Sequence, residues 1–302
     1  MKDKTKAYLA GLFDAEGDLS IGRHLSKERT YTIKGKTYTY ENYTSYSASI
    51  AVYNTYLPLM KYLVKHFGGT YRVLTEETDT RQKVYAWKPD GSQHALTVLR
   101  HVSPYVTIKQ SQLHLCIQFL EMGSKSDPET RKNLYEKCLV ANSISLTTDT
   151  NHIIKWKQNL QNAYFSAIFD GEGTASVYNS PTIWIANSNR SLLETAKTLY
   201  SANDVTGGKR KGAKIERLSE YRVAIPVESM EKFILRILPY SLIKREQLLL
   251  TLEALRGVSK SRKEEIQKKL FQLKHPLDIK IQSALISDYE NPLTETLEGN
   301  NN

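Results

Sequence analysis

Two segments of this 302-residue chain, 156 positions apart (Glu172 against Glu16), are built on one plan. The first runs Tyr8-Leu9-Ala10-Gly11-Leu12-Phe13-Asp14-Ala15-Glu16-Gly17, the second Tyr164-Phe165-Ser166-Ala167-Ile168-Phe169-Asp170-Gly171-Glu172-Gly173. Each is an apolar run with small residues in its middle, then an acidic pair, then glycine. A chain that repeats such a run is expected to fold twice over in a similar way. Each copy then ends in one carboxylate, and two carboxylates brought together can hold divalent cations.

The repeat is wider than the two segments. Pro104-Tyr105-Val106-Thr107-Ile108-Lys109-Gln110-Ser111-Gln112-Leu113 aligns with Pro239-Tyr240-Ser241-Leu242-Ile243-Lys244-Arg245-Glu246-Gln247-Leu248, identical at six of the ten positions, at an offset of 135 (Lys244 against Lys109). At that offset Asn54 falls on Asn189, and Ser124-Lys125-Ser126 on Ser259-Lys260-Ser261. The two offsets differ by 21, so the first copy is expected to hold 21 extra residues between its motif and Asn54.

Leu9-Ala10-Gly11-Leu12-Phe13-Asp14-Ala15-Glu16-Gly17 resembles the signature of the LAGLIDADG homing endonucleases, with Phe for Ile and Glu for the last Asp. The second copy is looser but keeps Asp170, Glu172 and Gly173. The resemblance implies an α+β fold of two pseudo-symmetric αββαββα repeats. Each would be a four-stranded antiparallel sheet with helices on one face, and the two sheets would form a saddle astride DNA.

Residue periodicity leads to the same elements. Lys4 to Asp14 reads as a helix. A glycine in its middle costs roughly 0.5–1 kcal/mol relative to alanine, so Gly11 and its counterpart Ala167 predict close packing of the two motif helices. After Gly17 the pattern alternates. Leu19, Ile21, Ala48, Ile50 and Val52 are expected to face inward, and Ser45, Ser47, Ser49 and Ala51 outward. In the second copy Ala175, Val177, Ile183 and Ile185 face inward; Thr174, Ser176, Tyr178, Thr182 and Trp184 face outward. Tyr31–Ile33 and Thr37–Tyr40 around Lys34-Gly35-Lys36 predict a hairpin within the excess of the first copy, where the second has Asn179-Ser180-Pro181. The expected organisation is a first repeat over 1–122, a linker with a helix over 123–160, a second repeat over 161–275, and a C-terminal segment over 276–302 whose acidic end reads as disordered.

The formal net charge of +10 favours a polyanionic partner, nucleic acid before membrane. No stretch is apolar and long enough to span a bilayer. Met1-Lys2-Asp3-Lys4 has no signal-peptide pattern, so the expected location is intracellular, in the cytoplasm or in an organelle that encodes the protein. Cys116 and Cys138 read as buried thiols of a reducing compartment, and the seven His show no zinc-ligand spacing.

Phosphodiester hydrolysis needs an activated water, neutralised phosphate charge and a stabilised leaving oxygen, all of which divalent ions can supply. Glu16 and Glu172, at helix C-terminal ends where free carbonyls also favour cations, are the expected catalytic and metal-binding acids. The resemblance adds the carbonyls of Ala15 and Gly171 as metal ligands, with Mg²⁺ as the cofactor and Mn²⁺ as substitute. It also places Lys109 and Lys244 near the scissile phosphate as catalytic residues, Asn54 and Asn189 as water-positioning residues, and Asp14 and Asp170 in structural roles.

Outward strand residues are expected to bind DNA, because a β-ribbon fits the major groove. In the first copy these are Ser47, Ser49, Arg72, Arg81 and Lys83. In the second they are Ser176, Tyr178, Thr182, Trp184, Lys209, Lys211 and Arg222. The implied function is a monomeric, site-specific homing endonuclease that makes a metal-dependent double-strand break in a long double-stranded DNA target. The alternatives are a maturase that binds intron RNA on the same scaffold and a catalytically inactive DNA-binding protein.

Overall fold

The computed structural model describes residues 1–40, 43–78, 81–123, 126–144, 147–208 and 220–274. The C-terminal segment 276–302, together with Lys209 and Lys211, lies outside the described residues.

The first half begins with helix α1 (Asp3–Glu16), followed by β1 (Gly17–Ser26), β2 (Arg29–Ile33), β3 (Lys36–Tyr40) and β4 (Tyr43–Asn54). Then come α2 (Leu57–Phe67), β5 (Thr70–Thr75), β6 (Val84–Lys88), α3 (Gly91–Val102), α4 (Gln110–Glu121) and α5 (Pro128–Ile144). A short 3-10 turn over Asn151–Lys155 leads to the second half. There α6 (Gln158–Glu172) precedes β7 (Gly173–Val177), β8 (Pro181–Asn187), α7 (Arg190–Tyr200), β9 (Thr206–Gly208), β10 (Glu220–Ile225), α8 (Val227–Ile237), α9 (Arg245–Leu255) and α10 (Lys260–Lys274). The class is α+β, as expected. Among the described residues no helix is long and apolar enough to cross a membrane.

The two halves carry matching sheets, in the orders β1-β4-β6-β5 and β7-β8-β10-β9, with every pairing antiparallel. Alternation follows the sequence reading. Leu19, Ile21, Ile50 and Val52 are buried in one half, and Ala175, Val177, Ile183 and Ile185 in the other. Ala51 departs from it: it lies on the outward face yet is fully buried. The expected hairpin forms as β2 paired with β3, turning through Lys34 and Gly35 at φ 49° and 77°.

The halves join through α1 and α6, which are buried nearly all round, from Ala7 to Asp14 and from Gln161 to Asp170. A helix apolar on every side must lie inside the protein, and here one continuous core runs from α1 through α6 to α9. A Cβ on Gly11 would stand 2.5 Å from Tyr164 O and 2.9 Å from Ala167 Cβ, so glycine is required by the closeness of the backbones.

Two expectations change. The helix expected in the linker, α5, packs on α4, β1 and β4, with Leu134, Cys138 and Ala141 buried. Its counterpart α10, already inside the expected bounds of the second repeat, packs on α9 and β7, so α5 packs with the first half as α10 does with the second. The register also shifts the repeat alignment. Gly17 pairs with Val52, 35 residues on, and Gly173 with Ile185, 12 residues on, which makes the first half's excess 23 residues rather than 21.

Candidate active site at the paired helix ends

Each motif helix ends at its glutamate, and the small residues just before it let the two ends meet. A Cβ on Gly171 would lie 2.8 Å from Ala15 Cβ, 3.2 Å from Glu16 Cγ and 3.4 Å from Glu16 Oε1. Glu16 and Glu172 therefore converge, one from each half. Burial, then repulsion from Glu16, push the Glu172 carboxyl up to about 7, against the opposing pull of Lys244 and Lys109. Burial also raises Glu16, opposed chiefly by the hydrogen bond from Asn54.

Asn54 is well placed. Its Nδ2 donates to Glu16 Oε2 at 2.7 Å, while its Oδ1 accepts from Tyr56 N at 2.8 Å. Asn189 does not match it. Its Oδ1 caps α7 by accepting from Leu192 N at 2.9 Å, and its Nδ2 donates to Thr148 O at 3.1 Å. The register counterpart of Asn54 is Asn187, which ends β8 as Asn54 ends β4 and accepts from Asn189 N at 2.8 Å. Asn189 was matched by a coincidence of residue type two positions along. Among the described residues no comparable hydrogen bond reaches Glu172.

Asp14 and Asp170 are structural anchors. Asp14 accepts from Thr107 N at 2.8 Å, Lys109 N at 2.9 Å and Tyr164 Oη at 2.7 Å. Asp170 accepts from Leu242 N at 2.8 Å, Lys244 N at 2.9 Å, Ser241 Oγ at 2.5 Å and Tyr8 Oη at 2.7 Å. These bonds tie each Pro-Tyr segment to its motif helix and deliver the lysine side chains. Lys109 Nζ donates to Phe13 O at 2.8 Å and Gly17 O at 2.6 Å. Lys244 Nζ donates to Phe169 O, Gly171 O and Gly173 O at 3.0, 3.2 and 2.6 Å. Both lysines thus cap the carbonyls around the acids, which satisfies helix-end acceptors. Burial holds the Lys109 ammonium below its usual range, partly offset by Asp14, Asp18, Glu172 and Glu16.

The donor set suits a hard divalent cation: two carboxylates and helix-end carbonyls, all oxygen. A cation between Glu16 and Glu172 would relieve the repulsion that now favours a proton on Glu172. The Gly171 carbonyl is already engaged by Lys244. Among the described residues no group of three or more His, Cys, Asp or Glu forms an enclosed metal cage.

Most of the expected DNA-binding residues that are described lie on the sheets, but Arg81, Lys83 and Tyr178 fall outside the strands, in the connections between them. Ser49 Oγ donates to Asp18 at 2.5 Å, and Ser47 Oγ lies 2.8 Å from His24 Nε2. Arg72 is exposed beside Ala86, and Arg81 is exposed in an isolated bridge with Thr78. Lys83 pairs with Glu76 at 3.0 Å. In the second half Ser176 and Thr182 share a hydrogen bond of 2.7 Å, and Tyr178 is 77% exposed. The Arg222 guanidinium stands 4.8 Å over the Trp184 ring and pairs with Glu220 at 2.9 Å. Sequence reading missed Asn187, Asp18 and the tyrosine pair Tyr8 and Tyr164. Only the tyrosines carried a signal, since they head both copies of the motif.

No protein-family model matches the chain, and no curated protein sequence matches it. Solved structures that it resembles are of LAGLIDADG homing endonucleases. The homing endonuclease I-CvuI in complex with the I-CreI target and Mg is 16% identical at a TM-score of 0.28, over 43% of this chain and 84% of that one. I-DmoI in complex with DNA and Ca is 14% identical at a TM-score of 0.38, over 82% of this chain and 97% of that one. I-DmoI with DNA and Mn is 15% identical at 0.33, over 78% and 96%.

Proposed function

We propose that the protein is a site-specific DNA endonuclease that hydrolyses one phosphodiester in each strand of a long target. The observation that carries this reading is the convergence of Glu16 and Glu172, one from each half, at the meeting ends of α1 and α6. Two half-sites related by a pseudo-twofold suit the two strands of a duplex. A single chain holds both halves, so it acts as a monomer. Divalent ions, Mg²⁺ with Mn²⁺ as substitute, would be held by Glu16, Glu172 and the Ala15 and Gly171 carbonyls, and would supply charge neutralisation and an activated water. Lys109 and Lys244 place positive charge beside the reacting phosphate, and Lys244 would release the Gly171 carbonyl for that oxygen to meet a metal. Asn54 fixes the orientation of Glu16. The outward sheet faces, with Arg72 and Arg222, and the β5–β6 connection, with Arg81, supply phosphate and base contacts.

The test is selection of cleaved sites from a randomised duplex library with Mg²⁺, followed by the selected site with Glu16→Gln and Glu172→Gln. Each variant is expected to abolish double-strand cleavage while leaving binding of the site within a few-fold. Undiminished cleavage by either variant overturns the assignment of the acids, and absence of any selected site overturns the endonuclease reading.

A further inference from the structure

Helices α1 and α6 exchange two hydrogen bonds across the junction of the halves. Tyr8 of α1 donates to Asp170 of α6 at 2.7 Å, and Tyr164 of α6 donates to Asp14 of α1 at 2.7 Å. The two tyrosines are repeat counterparts, as are the two aspartates. Tyr8, Asp14, Tyr164 and Asp170 are exposed by only 2%, 4%, 0% and 2%. A carboxylate so buried must be supplied with donors, and losing one leaves a costly unpaired acceptor.

The other donors to each aspartate all come from its own half, namely Thr107 and Lys109 for Asp14, and Ser241, Leu242 and Lys244 for Asp170. Among the described residues each tyrosine is thus the one bond from outside in a chain that ends at an acid. From Tyr8 the chain passes through Asp170 to the 241–244 segment. Lys244 Nζ then reaches the carbonyls of Phe169, Gly171 and Gly173, which surround Glu172. From Tyr164 it passes through Asp14 to Lys109, whose Nζ reaches the carbonyls of Phe13 and Gly17 around Glu16.

We propose that Tyr8 and Tyr164 are positioning residues that couple the two half-sites, each one setting the acid-bearing end of the opposite half. Burial and the facing carboxylate hold both phenols far above their usual range, so they remain protonated donors. A tyrosine that served only to fill the interface would need no hydroxyl. One that served only as glue would steady both halves equally. The crossed pattern instead makes the effect of each hydroxyl directional. The consequence for cleavage rests on the endonuclease reading, whereas the directionality itself does not.

The test uses Tyr8→Phe and Tyr164→Phe in the full chain, which keep the ring and remove only the hydroxyl. Amide hydrogen exchange is followed at Thr107, Lys109, Leu242 and Lys244. Tyr8→Phe is expected to speed exchange at Leu242 and Lys244 by roughly tenfold or more, the scale of a hydrogen bond to a charged group, and to leave Thr107 and Lys109 within about twofold. Tyr164→Phe is expected to do the reverse. Asp170→Asn is expected to reproduce the Tyr8→Phe pattern, which keeps the idea testable should either phenylalanine variant fold poorly. Equal acceleration in both halves, or acceleration confined to the mutated tyrosine's own half, overturns the proposal. On the selected DNA site with Mg²⁺, the two phenylalanine variants are expected to accumulate nicked product with opposite strands intact. Equal slowing of both strands by each variant overturns the link to chemistry. If the wild-type chain cleaves nothing, the endonuclease reading fails while the exchange pattern still decides the coupling.

Discussion

Glu16 and Glu172 hold the same place in the repeat, but their surroundings differ. Glu16 receives the Asn54 amide at 2.7 Å, and among the described residues Glu172 has no such donor. Both are raised by burial, yet only Glu172 is pushed as far as about 7. The strands that follow differ as well. β1 and β4 run for 10 and 12 residues and lead into the β2–β3 hairpin, whereas β7 and β8 have 5 and 7. Where the first half has Ala51 opposite Asp18, the second has Trp184 opposite Thr174, covered by Arg222. A duplicated backbone therefore places two acids symmetrically, while individual side chains give each its own proton affinity and each sheet its own surface.

The largest expected effect tests whether the lysines are equivalent. Lys109→Met and Lys244→Met should each lower the cleavage rate by roughly 10–1000-fold, the scale of removing one electrostatic stabiliser. Affinity for the site should change far less. A loss that appears entirely in binding would make them ordinary phosphate contacts.

Asn54 sharpens the comparison. Asn54→Ala should slow cleavage about tenfold, since a hydrogen bond to a charged group contributes about 1.5–3 kcal/mol, part of which solvent replaces. Asn187→Ala removes the acceptor for Asn189 N and should cost about 1 kcal/mol of stability by loss of a turn, with a smaller change in rate. Equal rate effects from the two variants would mean that the acids are held alike.

The proton on Glu172 gives a test without DNA. In the folded, metal-free protein this carboxyl stays protonated up to about 7, against an ordinary value of 4.5. The folded state then binds more protons than the unfolded state across that window, so stability should fall as pH rises through it. Melting temperatures should drop by a few degrees between the two values, on the order expected for one such group. Glu172→Gln should flatten the drop more than Glu16→Gln does, and added Mg²⁺ should oppose it. An equal response from the two variants would erase the asymmetry.

The smallest effects concern the sheets. Arg72→Ala should reduce the slope of log affinity against log salt by about one unit if Arg72 meets a phosphate. Replacing Thr30–Tyr40 by a short turn should shorten the footprint at one end only, because the second half has no counterpart of the hairpin. An unchanged footprint would show that the hairpin points away from DNA.

Much of this architecture was legible beforehand because its signals are local. Alternation along Leu19, Ile21, Ile50 and Val52 reports a sheet with one buried face, since neighbouring side chains on a strand point to opposite sides. Gly11 announced a tight helix contact because nothing larger fits against Tyr164 O. The Lys34-Gly35 turn needed two positive φ values, which few sequences accept. The Asn54–Asn189 match misled because identity of residue type does not encode strand register. One shift of two positions turned a carboxylate partner into a helix cap.

By itself the sequence determined that the chain folds twice over, which faces of its strands are buried, and which acid closes each motif helix. Those properties follow from periodicity and from the repeat, both of which are readable within a few residues. Only the tertiary structure decided that Asp14 and Asp170 are held by the opposite half's tyrosine, that Lys109 and Lys244 cap the carbonyls beside the acids, and that Glu172 keeps a proton at higher pH than a free carboxyl. The Tyr8–Asp170 bond joins residues 162 positions apart. Such a contact depends on how closely two helices cross and how deeply their ends are buried, and burial sets what a neighbouring charge or hydrogen bond does to a carboxyl.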